Sequence, residues 1–117
     1  MPLPDVVYLR HMLDAIQRLE EYAARVTRDQ FDQDPLIQDG FVRRITVLGE
    51  AASKISKAFA ASQPNIPWPD ITGIRHKLVH DYFTVDIDVV WDTATVSAPS
   101  LRPLVEAVLR SEEDRTG

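Results

Sequence analysis

The chain contains no cysteine, so disulfide scaffolds, thiol nucleophiles, thiolate-bound zinc and iron–sulfur clusters are excluded together. Three histidines leave a His/carboxylate arrangement as the one route to a metal site. No apolar run approaches the roughly 18 residues that a membrane span needs. The opening MPLPDVVYLRHM has no basic segment leading into an apolar core and a cleavage site, so a cytoplasmic protein is expected. Internal repeats and low-complexity tracts are absent as well.

What is present is an ordinary globular composition, with 117 residues, 44% hydrophobic and 26% charged, the size of one domain. The net charge of −5 is unevenly spread. Residues 1–40 carry four basic and eight acidic side chains, residues 41–84 six and three, and residues 85–117 three and seven. A domain that coats nucleic acid nonspecifically is usually basic overall, which this chain is not. A phosphate-bearing ligand could still be held locally by the basic middle, through Arg43, Arg44, Lys54, Lys57, Arg75 and Lys77. The plain alternative is that these are solvated helix surface.

Helical periodicity dominates. Leu9, Leu13, Ile16, Leu19, Ala23 and Val26 form one apolar stripe on a first helix. Thr27 to Asp34 reads as a polar connector, and Asp34-Pro35 starts a second helix with a capping carboxylate and proline at the first position. Its stripe is Ile37, Phe41, Ile45, Leu48, Ala52, Ile55 and Phe59. Gly40 and Gly49 lie within it; each costs about 1 kcal/mol relative to alanine, and close packing of a neighbouring helix is the expected compensation. Pro64, Pro67 and Pro69 make a rigid connector, with Trp68 plugging the end of the core. A third helix is expected from Pro69-Asp70 through about Phe83. Residues 85–89 alternate like a strand, but a lone strand has no partner in a helical chain, so a short helix capped by Asp86 is expected. Ala98-Pro99-Ser100 should break the chain before a last helix carrying Leu101, Leu104, Val105 and Val108. The expected architecture is all-α: an antiparallel four-helix-type bundle with a short extra helix over residues 1–110, then a charged, disordered tail over residues 111–117.

Chemistry concentrates in Gly73-Ile74-Arg75-His76-Lys77-Leu78-Val79-His80-Asp81-Tyr82-Phe83. As a continuous helix this segment turns Ile71, Ile74 and Leu78 inward and Lys77 and Asp81 to solvent. Arg75 and His80 then lie about 140° apart, so one copy does not converge them, whereas two copies across a twofold axis can. Three readings compete. His76 and His80 form an i, i+4 pair as in a zinc site, but Lys77 stands where a metalloprotease has its glutamate base and no third ligand is evident. The histidines and Arg75 are packing groups in the second reading. In the third, histidine moves protons and arginine stabilises phosphate charge without a metal.

Arg75-His76-Lys77-Leu78-Val79-His80-Asp81-Tyr82 resembles the RxxxxHxY motif of the HepT-like ribonuclease toxins of the HEPN superfamily. Tyr8-Leu9, the run Arg43 to Ala52 with its Gly49-Glu50-Ala51, the loop Ile66-Pro67-Trp68 and Trp91 extend the resemblance over almost the whole chain. It implies an all-α homodimer whose two motif helices line a cleft, acting on RNA as a metal-independent endoribonuclease with no cofactor. Arg75 and His80 match the catalytic positions. His76 stands where the family commonly has asparagine, and is a supporting residue. Arg43, Arg44 and Lys77 are the RNA-binding candidates. The family is usually paired with a minimal, MntA-like nucleotidyltransferase antitoxin in a type VII-like toxin–antitoxin system, and Tyr82 matches the tyrosine that accepts AMP. Glu50 is read either as the partner of an arginine or as a solvated carboxylate. The competing class is a non-catalytic helical module that docks a nucleotidyltransferase.

Overall fold

The computed structural model describes residues 3–79 and 84–116, and every described element is helical. Helix α1 (Asp5–Arg25) has Asp5 in its first turn and Arg25 in its last, matching the helix dipole at both ends. Its buried residues are Leu9, Met12, Ala15, Ile16 and Leu19, so the core-facing stripe is turned toward Met12 and Ala15, and Leu13, Ala23 and Val26 are half-buried at its edge. The expected connector after it is itself a helix, α2 (Arg28–Gln33). A capping box starts it: Thr27 Oγ1 accepts from the Gln30 N–H at 3.1 Å, and the Thr27 N–H donates to Gln30 Oε1 at 2.8 Å. Phe31, fully buried, anchors it to the core.

Helix α3 (Pro35–Lys54) begins as the sequence predicts, with Asp34 Oδ1 accepting from the Leu36 N–H at 2.9 Å and Pro35 in the first turn. It ends earlier than its apolar stripe, because Ile55 turns extended and Ser56 caps a new helix, α4 (Lys57–Ala61). The break is held from outside: the Ser56 N–H and hydroxyl donate to the two Asp5 carboxylate oxygens at 2.8 and 2.7 Å, tying it to the start of α1. The two helical glycines differ. A Cβ on Gly49 would lie 3.2 Å from the Ile71 carbonyl oxygen and 3.3 Å from Ile74 Cγ2, which is the expected close packing. A Cβ on Gly40 would meet nothing within 4 Å, so no neighbour explains that glycine.

Trp68 is buried as expected, at the start of α5 (Trp68–Thr72), with its indole N–H donating to the Gln63 carbonyl at 3.1 Å. The expected third helix is in fact two short ones, α5 and α6 (Ile74–Leu78), joined at Gly73. A Cβ on Gly73 would lie 3.1 Å from the Pro69 carbonyl, so the chain's own turn accounts for that glycine. Helix α6 buries Ile74 and Leu78 and stops there, with Val79 extended. An antiparallel bridge between Val79 and Val85, and the Asp86 N–H donating to the Leu78 carbonyl at 2.7 Å, hold together the two ends of the interval from 79 to 85. Asp86 then caps α7 (Ile87–Asp92) through the Val89 N–H, as expected.

Pro99 does not break the chain. A π-helical segment (Thr93–Ser97) connects α7 to α8 (Ala98–Thr116), which carries Pro103 internally. The wider turn ahead of Pro99 changes the hydrogen-bond register where the proline lacks its N–H, so the helical course continues. Helix α8 also runs on through residues 111–116, where a disordered tail is expected. Helix α1 packs along α3 and α8, and Arg102 of α8 pairs with Glu20 of α1 at 2.8 Å. An aromatic cluster fixes α2 and α7 on α3: the Phe31 ring lies 4.9 Å from Phe41 and 5.1 Å from Trp91. Arg28 stacks over Trp91 and pairs with Asp32 and Asp88; hydrogen bonds to Asp32, then Asp88, hold its guanidinium above the ordinary arginine value. No helix among the described residues is long and apolar enough to cross a membrane.

Candidate active site

A cleft of about 570 Å³ opens between α3 and the α5–α6 pair. Thr46, Gly49, Glu50 and Ser53 line it from α3, and Thr72, Ile74, Arg75, His76 and Val79 from the other side. Gly49 sets its depth, since the missing side chain lets Ile71 and Ile74 approach α3 directly. The inward face of α6 is as the sequence predicts, with Ile71, Ile74 and Leu78 buried. That anchoring leaves Arg75 and His76 exposed at the cleft wall.

Arg75 and His76 are therefore brought together, whereas the remaining expected site residues are not all in the same place. His80 and Tyr82 lie outside the described residues. Helix α6 ends at Leu78, with Val79 extended, and the expected pairing of His76 with His80 falls outside the described residues. Lys77 faces a second hollow of about 430 Å³ behind α6, formed with Pro67, Asp70, Val89, Thr93, Val96 and Leu101 among others, and Ile74 lines both hollows. Arg44 turns toward α1, its Nε donating to the Tyr22 hydroxyl at 3.2 Å. Arg43 is exposed on α3, two turns before Glu50 and about 20° from it around the axis, beyond the cleft's lining. Glu50 is exposed and forms no ion pair with a described residue.

The two walls differ in hydrogen-bonding character. On α3 the hydroxyls of Thr46 and Ser53 donate to the carbonyls of Val42 and Glu50 at 2.8 and 2.7 Å. Thr72 does the same to Pro69 at 3.3 Å. Each thus spends its proton on backbone and shows lone pairs to the cleft. Across from α3, on the same side as Thr72, stands Arg75, whose guanidinium offers only donors.

A family model described as ribonuclease HepT-like matches residues 12–108. The chain belongs to the HepT-like ribonuclease family. Among relatives of this HepT-like chain, "Putative RNase" of Caldanaerobacter subterraneus subsp. tengcongensis is 33% identical over 91% of the chain and 95% of its own length. "Probable ribonuclease HepT" of Thermococcus cleftensis is 35% identical over 81% of the chain and 86% of its own length. "Gamma-glutamylcyclotransferase and putative RNase" of Methanocaldococcus jannaschii is 32% identical over 92% of the chain, but over only 47% of its own length. No solved structure gives a significant match.

In the HepT-like chain the candidate site thus places an arginine and a histidine at one wall of a cleft, side chains able to bind a phosphate and to move a proton. Sequence reasoning passed over Thr46, Ser53 and Thr72 as cleft residues. A polar line at positions 46, 50 and 53, spaced 4 and 3 beside the apolar stripe of α3, was the signal available for the first two.

Proposed function

We propose that this chain is a metal-independent endoribonuclease and the toxin of a type VII-like toxin–antitoxin pair, working as a homodimer. The observation that carries the reading is the cleft bearing Arg75 and His76 of the RxxxxHxY segment in a chain of this family. His80, which follows the cleft residue Val79 in sequence, takes the proton of a ribose 2′-OH. The 2′-oxygen attacks phosphorus, the bond to the 5′-oxygen breaks, and a second histidine across the dimer, or water, protonates the leaving oxygen. Arg75 stabilises the charged phosphorane, and the product end is a 2′,3′-cyclic phosphate. His76 supports Arg75 at the same wall, and Arg43, Arg44 and Lys77 are candidates for holding RNA outside it.

In this reading the helices form an antiparallel four-helix-type bundle, and two copies bring both motif segments to a shared cleft. A minimal nucleotidyltransferase silences the toxin by transferring AMP to Tyr82, whose added negative charge opposes RNA phosphate. The net charge of −5 favours the second reading, a non-catalytic module that docks such a partner.

Purified protein incubated with end-labelled RNA in EDTA separates the two. Cleavage leaving a cyclic phosphate is expected, falling by about 10²–10³-fold in Arg75→Ala and by about 10²–10⁴-fold in His80→Ala. Chelator-sensitive cleavage restored by zinc refutes the metal-free mechanism. No cleavage by the native chain favours the docking module.

A further inference from the structure

A carboxylate in a cleft that receives a polyanion weakens binding unless it faces a part of the ligand rich in donors. Glu50 is such a carboxylate. It lines the cleft across from Arg75 without forming an ion pair with it or with any other described residue. Its neighbours strengthen the pattern, because Thr46 and Ser53 have given their hydroxyl protons to helix carbonyls. The α3 wall therefore presents acceptors, while the α6 wall presents the guanidinium of Arg75. Between them the floor is apolar, made by Gly49, Ile74 and Val79, and the volume of about 570 Å³ admits a whole nucleotide. Such a pocket suits a flat base splayed from single-stranded RNA with its polar edge against one wall and its phosphate toward the other.

Resting on the ribonuclease reading, we infer that the cleft selects guanine, with the two Glu50 carboxylate oxygens accepting from guanine N1–H and N2–H. Guanine is the RNA base with two neighbouring N–H donors on its Watson–Crick edge. Adenine and cytosine offer one donor beside a ring acceptor, and uracil has its N3–H between two carbonyls that repel a carboxylate. Glu50 is thus a specificity-determining residue, and Arg75 takes the adjacent phosphate.

The test uses the full chain and trinucleotides 2′-O-methylated throughout, which bind but cannot undergo 2′-OH attack. Their central base is guanine or inosine, which lacks only the N2 amino group. Fluorescence anisotropy is expected to show guanine bound about tenfold more tightly than inosine, the discrimination of one bidentate base contact. In Glu50→Gln that ratio falls to about one, because an amide cannot accept through both of its heavy atoms. Equal binding of the two trinucleotides by the native chain overturns the inference, as does a guanine preference that survives in Glu50→Gln. Parallel cleavage of unmodified RNA keeps the two readings apart. Cleavage without a guanine preference leaves the ribonuclease standing and removes the base site, whereas a guanine preference in binding without cleavage does the reverse.

Discussion

Gly40 and Gly49 sit nine positions apart in one helix, with the same residue type and the same intrinsic cost, yet alanine should stabilise at the first and not at the second. At either site alanine recovers about 1 kcal/mol of helix propensity. At Gly40 nothing opposes the gain, since the added Cβ meets no atom within 4 Å. At Gly49 the Cβ would press on the Ile71 carbonyl oxygen at 3.2 Å and the Ile74 methyl at 3.3 Å. Backbone cannot rotate aside as a side chain can, so α5 and α6 must back away by a few tenths of an ångström, and overpacking of this kind costs about 1–3 kcal/mol. Gly40→Ala is therefore expected to stabilise by about 1 kcal/mol, whereas Gly49→Ala is neutral to about 2 kcal/mol destabilising. For a domain of this size that difference separates the two melting temperatures by about 4–12 °C, which calorimetry resolves readily. Gly49→Ala should also slow RNA cleavage, because the displaced helix carries Arg75 and His76. Equal stabilisation by both substitutions would refute the packing argument and leave propensity alone in control.

Phe31→Ala is expected to cost about 3–5 kcal/mol, read as a loss of more than about 10 °C in melting temperature, since the ring it removes joins Phe41 and Trp91. Light scattering at micromolar concentration should return twice the chain mass; a strict monomer defeats the shared-cleft mechanism. After co-expression with a nucleotidyltransferase partner, intact mass spectrometry should find AMP-sized additions on the native chain and none on Tyr82→Phe. Additions that persist in the variant place the modification elsewhere.

What could be read from the sequence was local in origin. The Asp34-Pro35 start, the Asp86 cap, the burial of Trp68 and the inward face of Ile71, Ile74 and Leu78 each follow from signals within a few residues, and each is found. The failures came from contacts across the chain or from competing local rules. The apolar stripe of α3 runs through Ile55 to Phe59, but Asp5, 51 positions before Ser56, captures Ser56 and ends the helix. Helix α6 stops at Leu78 because the chain returns at Val85 and Asp86 to pair there, which no local periodicity encodes. Helix α2 was within reach: Thr27 and Gln30 are spaced as a capping box, with Phe31 supplying the buried anchor, but six polar-dominated residues read more readily as a connector. At Pro99 the helix-breaking rule did not apply, because the π-helical segment ahead of it places the proline in the first turn of α8, where its missing N–H costs little. For the site, the motif singled out Arg75 and His80, with His76 in support; of these Arg75 and His76 lie among the described residues, and the α3 wall of their cleft emerged only when α3 was set against α6.

Ile74 gives the cleft an unusual neighbour. Among the described residues Ile74 is shared by the linings of the cleft on the Arg75 side and the hollow that Lys77 faces, so one isoleucine borders both compartments. Trimming it enlarges both at once, and a bulkier residue crowds both at once. The two hollows therefore share one adjustable wall, and engineering that reshapes one through position 74 must refit the other through the residues that line it alone.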